Sequence, residues 1–169
     1  MAHKVSDRIL YGAVGIMEIV DIREEAIGDE PKKYYVLREV NASADAQTYV
    51  PADNEQLVSL MHPLLSKKEI QALFDAEDGF PEIEWDENNR QRSESYKAIM
   101  ESGDRRKMIS MIKSIEKMGE ERARIGKKNY ISDDTAMRRA KKLLQSEISI
   151  VMEISAEEAE KYVNFGVLA

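Results

Sequence analysis

The chain reads as an α+β protein: one bent antiparallel sheet over residues 1–65, a helix and linker over 66–84, and an all-helical domain over 85–169. Three observations predict this. Residues 1–65 hold short runs rich in Val, Ile and Tyr, divided by turn residues. Near Ser66 the apolar period changes from alternating to helical. Beyond Gly79, candidate helix caps precede apolar stripes at helical spacing. Strands first and helices second make a segregated plan rather than an alternating one.

Four strands are expected, over Val5–Tyr11, Gly15–Arg23, Lys33–Val40 and Ala46–Pro51. Gly12, the polar stretch Glu24–Pro31 and Asn41–Asp45 supply the turns. In the second strand, Ile16, Glu18 and Val20 alternate poorly against Met17, Ile19 and Asp21, which predicts a strand covered on both faces. Pro51 has no N–H to donate and ends the pairing of the fourth.

Ser66-Lys67-Lys68-Glu69 has the pattern of a capping box, and Ile70, Leu73 and Phe74 continue it at helical spacing. Asp78-Gly79-Phe80-Pro81 breaks the chain between domains. A polar helix is expected over Trp85–Met100, ended by Ser102-Gly103. Asp104 caps the next, which carries Met108, Met111, Ile112, Ile115 and Met118 on one stripe. Ser132 or Asp133 caps a third, with Met137, Ala140, Leu143, Leu144, Ile148 and Val151 inward. Ser155-Ala156-Glu157-Glu158 opens a last short helix through Ala159 and Val163.

Composition narrows the function classes. The 169 residues are 43% hydrophobic, enough for a packed core, and no apolar run approaches the ~18–20 residues of a membrane span. The stretch from Met1 to Leu10 lacks the apolar core and cleavage site of a signal peptide. The absence of cysteine excludes disulfides and thiolate metal sites. A soluble cytoplasmic protein is expected. The net charge of −7 hides a segregation: Trp85–Gln145 holds 16 Lys/Arg against 10 Asp/Glu, and the rest 9 against 22. A local basic surface is all that phosphate neutralisation needs. On charge alone, basic residues on long helices are more simply read as a solvated face.

Nothing points to catalysis. Neither His3 nor His62 has a partner at metal-ligand spacing, and the glycines form no P-loop or dinucleotide fingerprint. The expectation is a non-enzymatic protein with no metal, cofactor or small-molecule substrate. The single tryptophan, Trp85, admits two readings. It caps the junction between domains as a large apolar contact. Alternatively, flanked by Arg90, Arg92 and Lys97, it wedges against a base step while the cations hold the backbone.

Tyr11-Gly12-Ala13-Val14-Gly15 followed by Met17–Arg23 resembles the opening of the CarD/CdnL family of transcription regulators, whose first domain is shared with the transcription-repair coupling factor. Lys33–Leu37 looks like that domain's central strand, and Thr48-Tyr49-Val50-Pro51-Ala52-Asp53-Asn54 is similar to its strand-to-turn segment. Trp85, Ser102-Gly103-Asp104 and Ala140–Glu147 match the helical half, so the resemblance spans about residues 4–165. It implies a Tudor-like β-domain that binds the β subunit of RNA polymerase through Arg23, Tyr49, Val50 and Pro51. It also implies a helical domain on promoter DNA at the upstream edge of the melted region, where the tryptophan stabilises the open complex. The candidate DNA-binding set is Trp85, Arg90, Arg92 and Lys97, with Arg138 and Lys141 on the late helix. The alternative is a protein–protein adaptor whose helical domain holds a partner protein instead of DNA.

Overall fold

The computed structural model describes residues 3–26, 28–40, 42, 45–75 and 79–165. The chain divides into two compact units, Met1–Leu64 and Leu65–Ala169. The first is a five-stranded antiparallel sheet and the second is helical, so the fold is α+β. Among the described residues, no helix is long and apolar enough to cross a membrane.

Strands β1 (Arg8–Tyr11), β2 (Gly15–Glu25), β3 (Lys32–Glu39), β4 (Gln47–Pro51) and β5 (Met61–Pro63) lie in the order β4-β3-β2-β1-β5. A one-turn helix, α1 (Glu55–Val58), precedes β5, with Asn54 Oδ1 accepting from the Leu57 N–H at its start. β1 begins later than expected because Ser6 takes a positive φ and Asp7 N–H turns back to Lys4. Gly12, at φ +47, makes the tight corner into β2 and donates its N–H to Leu60 O at 2.9 Å. β4 ends at Pro51, as the missing N–H requires.

The poor alternation in β2 has a structural cause. Ile19 pairs with Leu37 and Asp21 with Val36, which leaves Val20 as the extra residue of a bulge. Met17 and Ile19 before the bulge, and Ile22 after it, therefore serve the same core. Ile9, Tyr11, Tyr35, Leu37, Val50 and Met61 complete that core. Ile16 and Met17 are adjacent yet both buried, so the start of β2 is indeed covered on both faces.

In the second unit, α2 (Lys67–Asp75) opens with the reciprocal box: Ser66 Oγ accepts from Glu69 N–H and Glu69 Oε1 from Ser66 N–H. Asn88 caps α3 (Asn89–Ser102), Gly103 closes it at φ 71, and Asp104 caps α4 (Arg105–Arg124). α5 (Ile131–Met152) and α6 (Ala156–Phe165) follow, the latter capped by Ser155. The buried stripe of α4 is Met108, Ile109, Met111, Ile112 and Ile115; that of α5 is Ala140, Leu143, Leu144 and Ile148. Each Met, Ile and Leu of these stripes contributes roughly 1.5–3 kcal/mol by leaving water.

Two ion pairs lie inside this unit. Arg92 of α3 pairs with Asp133 of α5, and Arg105 of α4 with Glu147 of α5; all four residues are buried. Asp133 consequently does not cap α5. The helix starts at Ile131 with no side-chain cap, because the Asp133 carboxylate is turned inward to the Arg92 guanidinium.

Candidate functional site

Each unit carries one of the candidate surfaces. In the helical unit, Trp85 lies ahead of α3 rather than within it. Asn88 Oδ1 accepts from the N–H groups of Arg90 and Gln91, while the Asn88 N–H donates to Asp86 Oδ1 at 2.8 Å. These local side-chain bonds hold residues 86–88 out of the helix. Upstream, the Ile83 N–H donates to Ser114 Oγ at 3.0 Å and ties the segment to α4.

The half-buried indole rests on two residues from distant sequence. The Arg92 guanidinium carbon lies 4.0 Å from the Trp85 ring centre. The Tyr130 ring stacks at 6.4 Å with an interplanar angle of 29°. Arg92 also reaches Tyr130, at 4.9 Å, and Arg122 sits 4.1 Å from the same ring. Arg122 Nε donates to Lys128 O and its own carbonyl accepts from Lys127 N–H, so the loop between α4 and α5 is folded back around it. That loop carries Lys127 and Lys128, both exposed.

Arg92 is not a surface cation. It is 3% exposed, with Nε and Nη2 donating to the two Asp133 oxygens at 3.1 and 3.0 Å and Nη1 to Asp86 O at 2.9 Å. With its donors committed and the group enclosed, Arg92 is not placed as a phosphate contact, contrary to the expectation from sequence. Burial alone would lower its pKa, but the hydrogen bond and charge of Asp133 outweigh this and raise it, so Arg92 stays charged.

Tyr96, one turn along α3, is pushed up to about 12, first by burial and then by the Asp133 carboxylate. Between its ordinary value of 10.0 and about 12, the folded protein holds a proton that the unfolded chain releases. Stability is therefore intact below that window and falls as pH rises through it, by on the order of 2 kcal/mol. Denaturant unfolding across this range should show a flatter pH slope for Tyr96→Phe than for the parent protein. Parallel slopes would show that another group titrates.

The remaining candidates are solvated. Arg90 is exposed and pairs with Glu94 across one turn at 3.4 Å, and Lys97 pairs with Glu101 at 3.7 Å. Such exposed pairs are worth little and give way readily to phosphate. Arg138 is exposed on α5, and Lys141, partly buried, meets Glu116 at 2.7 Å. The sequence reading missed Tyr130, Arg122, Lys127 and Lys128. The basic run around Lys127 was visible, but nothing local joins Tyr130 to Trp85. A cleft of about 340 Å³ opens beside the indole, walled by Ile83, Met118, Lys117 and the acidic Glu82, Glu84 and Glu121.

In the sheet unit, β4 is an edge strand. Arg23, Tyr34 and Pro51 stand in register across β2, β3 and β4. The Arg23 guanidinium lies 5.5 Å from the Tyr49 ring, and Tyr49 packs edge-on against Tyr34 at 6.2 Å. Tyr49 is 40% exposed and Pro51 partly so, whereas Val50 is fully buried and points into the core. Val50 can therefore offer a partner its backbone but not its side chain. Arg23 is flanked on its own strand by Asp21 at 3.1 Å and Glu25 at 3.5 Å.

Among the described residues, no group of three or more His, Cys, Asp or Glu side chains is placed to hold a metal ion. Compared with models of known protein families the chain matches none, and no curated protein matches it.

Proposed function

We propose that this chain is a non-enzymatic, cytoplasmic transcription regulator of the CarD/CdnL kind. Its sheet unit binds the RNA polymerase β subunit, and its helical unit contacts promoter DNA at the upstream edge of the melted region, stabilising the open complex. The observation that carries the reading is the mounting of Trp85: an aromatic side chain, part exposed, held by Arg92 and Tyr130. The same unit presents Arg90, Lys97, Arg138, Lys127 and Lys128 at its surface. An aromatic wedge with cations for the backbone is the equipment of minor-groove recognition.

The polymerase contact is assigned to Arg23, Tyr49 and Pro51, with the β4 edge available to add to a strand of the partner. The test is capture of RNA polymerase from bacterial extract by the full chain and by Arg23→Glu. Because Asp21 and Glu25 already flank the position, the reversal makes a row of three carboxylates where one cation stood. Binding should weaken by about tenfold or more with the fold unchanged by far-UV CD. Capture equal to that of the parent chain would remove Arg23 from the interface.

One observation favours the adaptor reading, the acidic wall of the cleft beside Trp85. An acid-lined cleft suits a basic peptide better than DNA. Charge reversal in the cleft separates the two: Glu84→Lys with Glu121→Lys should abolish capture of a basic peptide, whereas DNA affinity should be unchanged or higher.

A further inference from the structure

We infer that Arg92 and Asp133 are positioning residues for Trp85, acting as a rigid mount that fixes where the indole points. The importance of that mount for promoter opening rests on the function proposed above; the mount itself does not. Arg92 holds the tryptophan in two ways. Its edge donates to Asp86 O, which fixes the backbone immediately after Trp85. Its guanidinium carbon lies over the ring at 4.0 Å.

The plane of the guanidinium is itself determined. Nε and Nη2 engage both oxygens of Asp133, Nη2 also reaches Asn89 Oδ1, and Nη1 reaches Asp86 O. Bonds in three directions leave the group no free rotation, so the ring beside it rests against a fixed cation. Asp133 lies on α5 and is buried, which ties the mount to the helical core rather than to the surface segment. Tyr130, two residues before the α5 residue Ser132, supports the same ring from the other helix junction. A wedge is effective only if its orientation is set before it meets its target, since ordering it on contact costs binding free energy.

Lysine cannot replace this arginine. It keeps the charge beside Asp133 but has no plane to stack and no fork to span Asp133 and Asp86. Because Trp85 is the only tryptophan, its fluorescence reports the mount directly. In Arg92→Lys, emission anisotropy should fall and acrylamide quenching rise, with the docked orientation about tenfold less populated. Open-complex lifetime on a promoter should fall toward that of Trp85→Ala, while polymerase capture stays at the parent level. Asp133→Asn, which keeps shape and removes the charge, should shift the fluorescence the same way.

Unchanged anisotropy and quenching in a folded Arg92→Lys protein would overturn the mount, whatever the DNA result. A loosened indole with open-complex lifetimes insensitive to both Arg92→Lys and Trp85→Ala would uphold the mount and overturn the promoter reading. Should both variants fail to fold, the parent protein labelled with 5-fluorotryptophan decides. One resonance with the relaxation of a rigid ring supports the mount, and a freely rotating ring refutes it.

Discussion

Glu147→Ala lowers the stability of the helical unit by about 3–5 kcal/mol, read by denaturant unfolding of the full chain. Glu147 is 1% exposed and satisfies three donors: Arg105 Nε at 3.0 Å, Arg105 Nη2 at 2.6 Å and the Leu65 N–H at 3.1 Å. Truncation takes the carboxylate from Arg105 while the arginine charge stays buried, and it strips the Leu65 amide of its acceptor. Each loss is expensive where water cannot substitute. Against a typical domain stability of ~5–15 kcal/mol, this is a large share. Arg105→Met combined with Glu147→Leu should recover most of the loss, since an apolar pair of similar volume asks for no charge desolvation. A double variant as unstable as Glu147→Ala would mean that the orphaned Leu65 amide, and not the stranded charge, dominates.

Trp85→Ala should shorten the lifetime of open promoter complexes by about five- to thirtyfold, the equivalent of ~1–2 kcal/mol of lost wedge contact. Inserting a ring at a base step costs unstacking, so the contact is favourable chiefly where the duplex is already opening. Closed duplex should therefore bind weakly to either protein. The structural cost should stay at about 1–2 kcal/mol, because the half-exposed ring gives up mainly its stack on Arg92 and Tyr130. A drop in melting temperature of many degrees would instead make Trp85 a core residue. Unchanged stability together with unchanged lifetime would leave neither role standing.

What the sequence made legible was local. The box at Ser66, the caps at Ser155 and Asp104 and the glycine stop at Gly103 depend on residues close in sequence, and all appear in the structure. The apolar stripes of α4 and α5 were readable for the same reason. β5 was not, since three residues paired only to β1 carry no period of their own. The start of α3 was misplaced because the Asn88 cap lies inside a polar run where every residue resembles helix surface. Arg92 and Asp133 show the deeper limit. Each looks solvated by itself, and only a partner 41 residues away explains how both come to be buried. Trp85 was singled out from its type and setting, but its mounting depends on that same distant contact.

The two buried carboxylates of α5 also govern how that helix can seat. Asp133 and Glu147 are fourteen residues apart, about four turns and roughly 21 Å along the axis, and so share a face. An apolar stripe alone tolerates sliding by one turn, because leucine against isoleucine is nearly as good as isoleucine against leucine. Two acids spaced to meet two arginines do not tolerate it. A slip of one turn would enclose four charges away from their partners, and a single inserted residue between the acids would turn one of them about 100° off the shared face. The helix thus works as a two-toothed key, with one depth and one rotation that turn.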